Sequence, residues 1–324
     1  EPAIEELQQA SQLTANSAPS EKNNPSEVKL DVSPRLVNVA QQVGVDFQWY
    51  LDTEINLELI ALHEALGGGI AVIDYDLDGW PDIYLAQGSG DPPTDACTRS
   101  NVLLRNTQAR FQSVTSFAGA EDYNYSSGVA VGDVNQDGFC DLVLGSLGRN
   151  RLLINNGDGT FLDATEQMGS SEDRFTTSLA VADVNGDALP DLFVTNYVEL
   201  EGAFVLPYVD DSGQLHAPRP LTHKAAPDQW FENRGNGSFE VHEISRVAAE
   251  PASSLGIVIT DFDSNGTNEI FVANDLLPNH FLYPGGDTPF RNLADLKGVA
   301  HGFDGRSNAC MGIASGDFNR DGQI

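Results

Sequence analysis

The sequence has few basic and few sulfur-containing residues, and it lacks a long apolar run. Lys and Arg total 17 against 48 Asp and Glu, so the formal net charge at pH 7 is −31. This balance argues against nucleic-acid binding, which needs a basic surface to neutralise phosphates, and against docking on anionic lipid. No apolar run approaches the roughly 18 residues that cross a membrane as a helix. A helical membrane protein is therefore disfavoured as well.

Cysteine is too scarce to define a metal site or a disulfide framework. The 3 Cys residues are Cys97, Cys140 and Cys310, and they cannot all pair within one chain. Their spacing matches no zinc motif. The sequence leaves two alternatives open, a Cys97–Cys140 bridge or free thiols. The 31 Gly residues predict many tight turns, which argues against an all-helical protein.

The composition divides the chain into two parts. Residues 1–34 are rich in Gln, Ser, Asn, Glu and Pro and show no sustained apolar periodicity. This composition predicts a disordered leader or linker. Residues 35–324 are predicted to form the folded part.

Five acidic segments repeat along the folded part. They are Asp74–Asp82, Asp133–Asp141, Asp183–Asp191, Asp261–Glu269 and Asp317–Ile324, and their first residues lie 59, 50, 78 and 56 positions apart. A small residue stands five positions before each first Asp, and an aliphatic residue follows it. A repeat of this period indicates a solenoid, a propeller or an array.

A second element follows four of the acidic segments. Asn101, Asn150, Asp228 and Asn279 each begin a short apolar stretch, and a Phe follows 10 or 11 residues later. Each module then reads as four antiparallel strands, which predicts an all-β fold, a β-propeller of four-stranded blades. The longer connections around residues 88–100 and 199–227 are predicted to be loops on one face.

The number of blades is estimated from the spacing. A mean period of about 61 residues implies that a seven-bladed ring needs roughly 425 residues. Residues 36–44 are similar to 111–119 and 161–169, so they are predicted to be the last strand of a split blade. The sequence is accordingly predicted to be a fragment of a seven-bladed propeller.

The acidic segments are predicted to bind up to five Ca²⁺ ions. Oxygen side chains stand at positions 1, 3, 5 and 9, and the carbonyl of position 7 can join them, which suits the six to eight hard ligands of calcium. The predicted ligands are Asp74, Asp76, Asp78, Trp80, Asp82, Asp133, Asn135, Asp137, Phe139, Asp141, Asp183, Asn185, Asp187, Leu189, Asp191, Asp261, Asp263, Asn265, Thr267, Glu269, Asp317, Asn319 and Asp321.

An EF-hand is excluded, because its bidentate Glu at position 12 is replaced by an aliphatic residue in the first four segments. The alternative is that these segments are ordinary hairpin turns, although a turn alone does not require an acid at position 9. The five loops are not equal. Ala188 stands at position 6 of the third loop, where Gly would adopt positive φ cheaply, which leaves that geometry open. The fourth loop has Asn265 and Glu269, and the fifth ends before position 9.

The repeated unit Gly-x-Ala-x-x-Asp-x-Asp-x-Asp-Gly-x-x-Asp-aliphatic resembles the FG-GAP/VCBS repeat of integrin α-chain propellers and their bacterial relatives. Residues 37–47 and 66–76 are similar to the N-terminal half of cartilage-acidic-protein-like (ASPIC/UnbV) proteins. The resemblance covers about residues 35–324. It implies a calcium-bearing propeller on an exported protein that is extracellular, at the cell surface or periplasmic.

Three functions are compatible with these patterns. The first is a non-enzymatic extracellular module that binds a protein or a glycan, with calcium stiffening the blades. The second is a calcium-dependent lyase or hydrolase on polysaccharide, and the third is a lectin whose aromatic residues stack on sugars. The first is favoured because calcium accounts for the carboxylates and no catalytic motif occurs. The aromatic candidates for sugar stacking are Trp80, Tyr123, Tyr125, Tyr197, Tyr208 and Trp230.

Overall fold

The computed structural model describes residues 36–50, 60–88, 98–169, 173–286, 288–317 and 319–322. The predicted leader, residues 1–34, and Cys97 lie outside the described residues. Cys140 and Cys310 are free cysteines. The chain divides into two compact units, Glu1–Val39 and Ala40–Ile324. All helices and strands described below belong to the second unit.

Four groups of four strands follow one another along the chain, and every pairing between neighbouring strands is antiparallel. The first group is β1 (Ile70–Ile73), β2 (Asp82–Leu85), β3 (Val102–Asn106) and β4 (Phe111–Ser113). The second is β5 (Ser126–Gly132), β6 (Asp141–Gly148), β7 (Arg151–Asn155) and β8 (Phe161–Asp163). The third contains β9 (Arg174–Ala182), β10 (Asp191–Asn196), β13 (Gln229–Asn233) and β14 (Phe239–Glu243), with the hairpin β11 (Tyr208–Val209) and β12 (Leu215–His216) inserted. The fourth is β15 (Ser254–Thr260), β16 (Glu269–Asn274), β17 (His280–Pro284) and β18 (Phe290–Asn292).

These groups confirm the predicted all-β class and the four-stranded antiparallel modules. The second and third groups are also hydrogen-bonded to each other, because the end of β6 pairs with the start of β9 at Leu147 and Phe175. The number of blades in a closed ring stays a prediction.

Helical segments are short and lie in the connections. The four α-helical turns are Thr115–Ala118, Leu200–Ala203, Ile244–Val247 and Ala294–Lys297, and the 3₁₀ turns are His63–Ala65, Thr165–Met168 and Pro220–Thr222. Within the described part of the chain, no helix is long and apolar enough to cross a membrane.

Two sequence predictions are corrected. Residues 36–39 form no strand, and residues 40–44 form a turn in which the Val45 N–H donates to the Ala40 carbonyl at 2.8 Å. The turn matches the helical turn at 115–118, so the similarity of 36–44 to 111–119 holds there and not in the predicted strand. The insertion at 199–227 is more than a loop, since it contains the β11–β12 hairpin and two helical turns.

The hydrophobic cores lie between successive groups of strands. One core joins Tyr84 and Leu103 of the first group to Leu142 of the second, and comparable clusters join the second to the third and the third to the fourth. Strands with one face on each neighbour are expected to have apolar side chains on both faces. The second and third groups therefore each contribute apolar side chains to two cores, one with each neighbour.

The small residue that precedes each acidic loop reflects close contact between neighbouring first strands. A Cβ added at Gly69 would lie 2.8 Å from the Val129 nitrogen, and one at Gly128 would lie 2.7 Å from Leu179 Cδ1. Real Cβ atoms do not make such contacts, since protein interiors are already close-packed. At Gly69 and Gly128, the lack of a side chain is thus required by the approach of the next group.

Candidate metal centres

The acidic segments are hairpin loops of one design. In each of the four groups, the residue before position 1 pairs with the acid at position 9, as Ile73 does with Asp82 and Thr260 with Glu269. The first and second strands therefore enclose the same eight residues each time. This register confirms that strands, rather than helices, flank the loops.

Two positions of every loop have left-handed backbone. Position 4 has φ between 53° and 82°, and position 6 has φ between 67° and 95°. Gly stands at position 6 except in the third loop, which instead has Gly186 at position 4 and Ala188 at position 6, with φ of 82° and 67°. Because non-glycine residues are strained there, each loop places its one Gly at one of these two positions. The third loop therefore keeps the same two left-handed positions with Ala188 at position 6.

The Asp at position 1 organises the loop backbone. In loops one, two, four and five its two carboxylate oxygens accept the N–H groups of positions 5 and 6, at 2.8 to 3.1 Å. In the third loop Asp183 accepts the N–H of Gly186 at 2.7 Å and that of Ala188 at 2.9 Å. Asp is well suited to such turns, since its side chain bonds the backbone a few residues ahead.

The acid at position 9 is buried in loops one to four, and in loops one to three it anchors the loop to the third strand. Asp82, Asp141 and Asp191 are 0% exposed. Each accepts the N–H of position 2 at 2.9 to 3.4 Å and, at 2.7 to 2.8 Å, the N–H of the Asn that ends the third strand. Burial raises the pKa of each of these carboxyls to about 6, against the effect of those hydrogen bonds.

The Asn residues that end the third strands were not predicted from the sequence. They are Asn106, Asn155 and Asn233, each at the fifth position of its strand. The signal was a recurring Asn after the apolar stretch, as in Leu103–Asn106 and Leu152–Asn155. Two of them also cross to the preceding group: Asn155 Nδ2 donates to the Tyr75 carbonyl and Asn233 Nδ2 to the Val134 carbonyl, both at 2.8 Å.

The fourth loop departs from this scheme. Pro284 stands where the other strands have Asn, and Pro has no N–H to donate. Glu269 accepts the Phe262 N–H at 2.8 Å, and its carboxylate forms one group with Asp261 and Asp263, whose ligand atoms all lie within 4.8 Å. The position-9 acid of this loop therefore lies with the other carboxylates.

The first loop also brings three carboxylates together. Ligand atoms of Asp74, Asp76 and Asp78 all lie within 4.8 Å of one another. Arg105 forms ion pairs with Asp76 at 2.6 Å and Asp78 at 3.2 Å. Asp76 Oδ1 is buried and has no hydrogen-bond partner. An unpartnered carboxylate oxygen is costly to bury, so the donor set of this loop fits a hard cation.

Loops two, three and five place an amide where the first loop has Asp76. The side-chain amide of each of these residues donates to the carboxylate of the Asp at position 5, and its oxygen accepts the backbone N–H of the same Asp. The distances are 2.7 to 3.1 Å, and the residues are Asn135, Asn185 and Asn319. Within the described residues, these loops form no group of three carboxylate ligand atoms. Their oxygen atoms are thus already engaged inside the loop.

A further cluster was not predicted. Glu232, Glu240 and His242 place their ligand atoms within 4.8 Å of one another on β13 and β14. His242 Nε2 lies 2.8 Å from Glu232, and Arg234 bonds both glutamates. The arrangement is an ion-pair network on a strand pair.

Comparisons with known proteins agree with the loop geometry. A model of the FG-GAP-like repeat matches residues 74–144 and 133–194, and a model of the FG-GAP repeat matches residues 175–216. Residues 74–216 are therefore similar to FG-GAP repeats. The matched residues include the first three acidic loops and all four strands of the second group. A search among curated proteins finds no match.

Two solved structures are similar to this chain at low identity and low TM-score. The V. cholerae biofilm matrix protein Bap1 is 14% identical, with a TM-score of 0.32, over 75% of this chain and 41% of that one. An Agrocybe aegerita lectin, described for its recognition of non-reducing terminal N-acetylglucosamine, is 16% identical, with a TM-score of 0.30, over 68% of this chain and 63% of that one. The chain thus spans less than two thirds of either protein.

Proposed function

We propose that this chain is an extracellular, calcium-binding FG-GAP β-propeller that acts as an interaction module for a protein or a glycan. We propose further that the complete ring has seven blades and that the chain is related to the ASPIC/UnbV proteins. The observation that carries the calcium assignment is the first loop, where three carboxylates converge and Asp76 Oδ1 is buried without a partner.

The ligand chemistry favours calcium over other metals. The converging atoms are carboxylate oxygens, and FG-GAP loops one to five contain no His or Cys at the predicted ligand positions. Zinc prefers nitrogen and sulfur ligands, and magnesium keeps several waters in a strict octahedron. Calcium accepts more oxygens in a flexible geometry, which suits a loop of Asp, Asn and carbonyl groups.

The two ends of the sheets would then have different roles. In a four-stranded antiparallel sheet, the first and third turns lie at one end, and the second turn and the exit lie at the other. The acidic loops are first turns, whereas the insertion at 199–227 is a second turn. Calcium would stiffen one end, and the insertions would contact the partner at the other, where loops on a rigid scaffold commonly carry binding.

The calcium assignment is tested by chelation. A ligand that binds only the native state stabilises it by RT ln(1 + [L]/Kd), about 2.7 kcal/mol for each site at a hundredfold excess over Kd. We expect excess EDTA to lower the melting temperature and added calcium to restore it. An unchanged melt together with the absence of calcium by elemental analysis would refute the assignment.

A single substitution tests the first loop. Asp76→Asn introduces the residue that loops two, three and five already have at position 3, so the fold should tolerate it. Removing one carboxylate should weaken calcium binding there by roughly tenfold, since affinity follows the charge of the ligand set. Asp211→Asn removes the same charge from an exposed position outside the loops and should leave calcium binding unchanged.

A further inference from the structure

A cavity of about 650 Å³ opens at the end of the second group that is opposite its acidic loop. Three connections form its walls: the segment between β4 and β5, the turn between β6 and β7, and the segment after β8. Its lining contains one aromatic ring, that of Tyr123, and otherwise only polar or charged side chains. The cavity lies at the end of its sheet where the proposed function places contact with a partner, although no insertion forms it.

The floor of the cavity is a fixed row of charged groups. Arg151 donates to Asp122 at 2.8 Å and to Asp163 at 2.6 Å. Asp122 is 0% exposed and also accepts the Ser126 hydroxyl at 2.9 Å. Asp163 accepts both the N–H and the hydroxyl of Thr165. Because hydrogen bonds hold this row from both sides, its groups are preorganised. A ligand that binds them therefore loses little free energy to the ordering of side chains.

The rim carries more accessible groups. The Tyr123 side chain is 46% exposed, and its hydroxyl donates to Glu121. Arg149 pairs with Glu166 at 3.0 Å, and both are largely exposed, at 50% and 90%. The rim therefore offers one flat ring together with a guanidinium and a carboxylate that can reorient.

This lining narrows the class of ligand. An apolar ligand is disfavoured, because apolar ligands depend on aliphatic walls and this lining has none. Four lining carboxylates stand against two guanidinium groups, so an anion would be repelled. Three of those carboxylates are paired with Arg149 or Arg151, and the described lining residues, unlike those of the first acidic loop, form no group of three converging ligand atoms for a metal ion. A neutral ligand with many hydroxyl groups needs both donors and acceptors, which paired Arg and Asp side chains supply.

We infer that this cavity binds a neutral saccharide, with a sugar ring stacked on Tyr123 and its hydroxyl groups bonded to Arg149 and the Arg151–Asp163 pair. The inference rests on the proposed interaction function and names the class of ligand for it. One face of a sugar ring is apolar and its edge is polar, which matches a tyrosine ring beside charged groups. Tyr123 was among the aromatic residues that the sequence suggested for stacking, whereas the charged row beside it was not.

The test is a glycan array carrying neutral, acidic and basic saccharides, probed with the calcium-saturated chain, followed by calorimetry with the neutral saccharide that gives the strongest signal. We expect Tyr123→Ala to weaken that binding at least tenfold. Phe117→Ala is the matched control, because Phe117 is 78% exposed in the same connection but does not line the cavity. It should change the affinity less than twofold, and both variants should melt with the parent chain.

Three results would overturn the inference: no neutral saccharide bound at about 10 mM, where even weak affinity registers; binding confined to acidic or basic saccharides; or binding that Tyr123→Ala leaves intact. Calcium content measured on the same samples keeps the two proposals apart. Retained calcium without saccharide binding would refute the cavity assignment alone. Saccharide binding by a chain that holds no calcium would refute the metal assignment alone.

Discussion

Asp228 is the site of a stability prediction that follows from its burial. It precedes β13, is 4% exposed, and accepts the Asn196 N–H at 2.8 Å and the Ser254 hydroxyl at 2.9 Å. Burial raises the pKa of this carboxyl to about 7, against the effect of its two hydrogen bonds. We predict that Asp228→Asn stabilises the fold at neutral and alkaline pH.

The repeat itself supports this substitution. Asn101, Asn150 and Asn279 occupy the same position in the other three groups, and the amide oxygen of each accepts the corresponding backbone N–H at 2.7 to 3.0 Å. An Asn at 228 keeps that bond. The hydroxyl of Ser254 can then accept from the new amide and donate to Asn274, which lies 2.9 Å from it. The substitution therefore keeps the Asn196 and Ser254 contacts of this position.

The magnitude follows from the shift in pKa. A carboxyl that titrates near 7 when folded and near 3.8 when unfolded favours the folded state only while it is protonated. Its ionisation therefore costs nothing below about pH 4, and the cost grows as pH rises and levels off above pH 7. A shift of about 3 units corresponds to about 4 kcal/mol, of which roughly 2 to 3 kcal/mol develops between pH 5 and pH 8. Between pH 5 and pH 8, the free energy of unfolding of Asp228→Asn should therefore rise by roughly 2 to 3 kcal/mol relative to that of the parent chain.

Denaturant unfolding of both proteins from pH 5 to pH 9, with calcium saturated throughout, measures the difference. Asn150→Asp is the reciprocal control: it places a carboxyl at a position that is 6% exposed and should destabilise the fold most at high pH. The reasoning is wrong if the stability difference between Asp228→Asn and the parent chain does not change with pH.

Two further substitutions test the loops. Ala188→Gly should stabilise the third loop by about 0.5 kcal/mol, because it relieves the strain of an Ala with left-handed backbone. Ala180→Gly within β9 is the control and should destabilise the fold. Thermal melts that rank the two variants the other way would contradict the strain at Ala188. Asn233→Ala removes the Nδ2 bonds to the Val134 and Pro190 carbonyls and should cost about 2 kcal/mol. Asn106→Ala is the control, because it loses only the bond to the Pro81 carbonyl within its own group. If both variants lose the same stability in denaturant titrations, the bond between groups contributes nothing.

Much of the architecture could be predicted from the sequence because its signals are local and repeated. The acidic loops and the strands around them recur with a constant internal spacing, and β2 begins at Asp82, the acid at position 9. Aliphatic residues at position 12 correctly indicated strands. Ala188 at position 6 leaves the geometry of the third loop open only when that position is taken alone. Gly186 at position 4 shows that this loop has its Gly at the other of the two left-handed positions.

The rest depends on contacts between residues far apart in the chain. Asn155 and Tyr75 are 80 residues apart, and no periodicity indicates that a side chain of one group bonds the loop of another. The pairing of Arg105 with Asp76 and Asp78 was missed for the same reason. The difference between Asp82 and Glu269 follows from Asn106 and Pro284, which lie on another strand, so the two kinds of position-9 acid looked alike in the sequence.

The bonds from Asn155 to the Tyr75 carbonyl and from Asn233 to the Val134 carbonyl change what counts as a module. Each ties the loop of one group to the third strand of the next, and Asn268 ties the Asp183 carbonyl to the fourth group at 2.9 Å. A single repeat, cut at its own boundaries, would thus lose the side chain that holds its loop. The smallest excisable piece that preserves one intact acidic loop is two consecutive repeats, and any truncation or chimera should be cut accordingly.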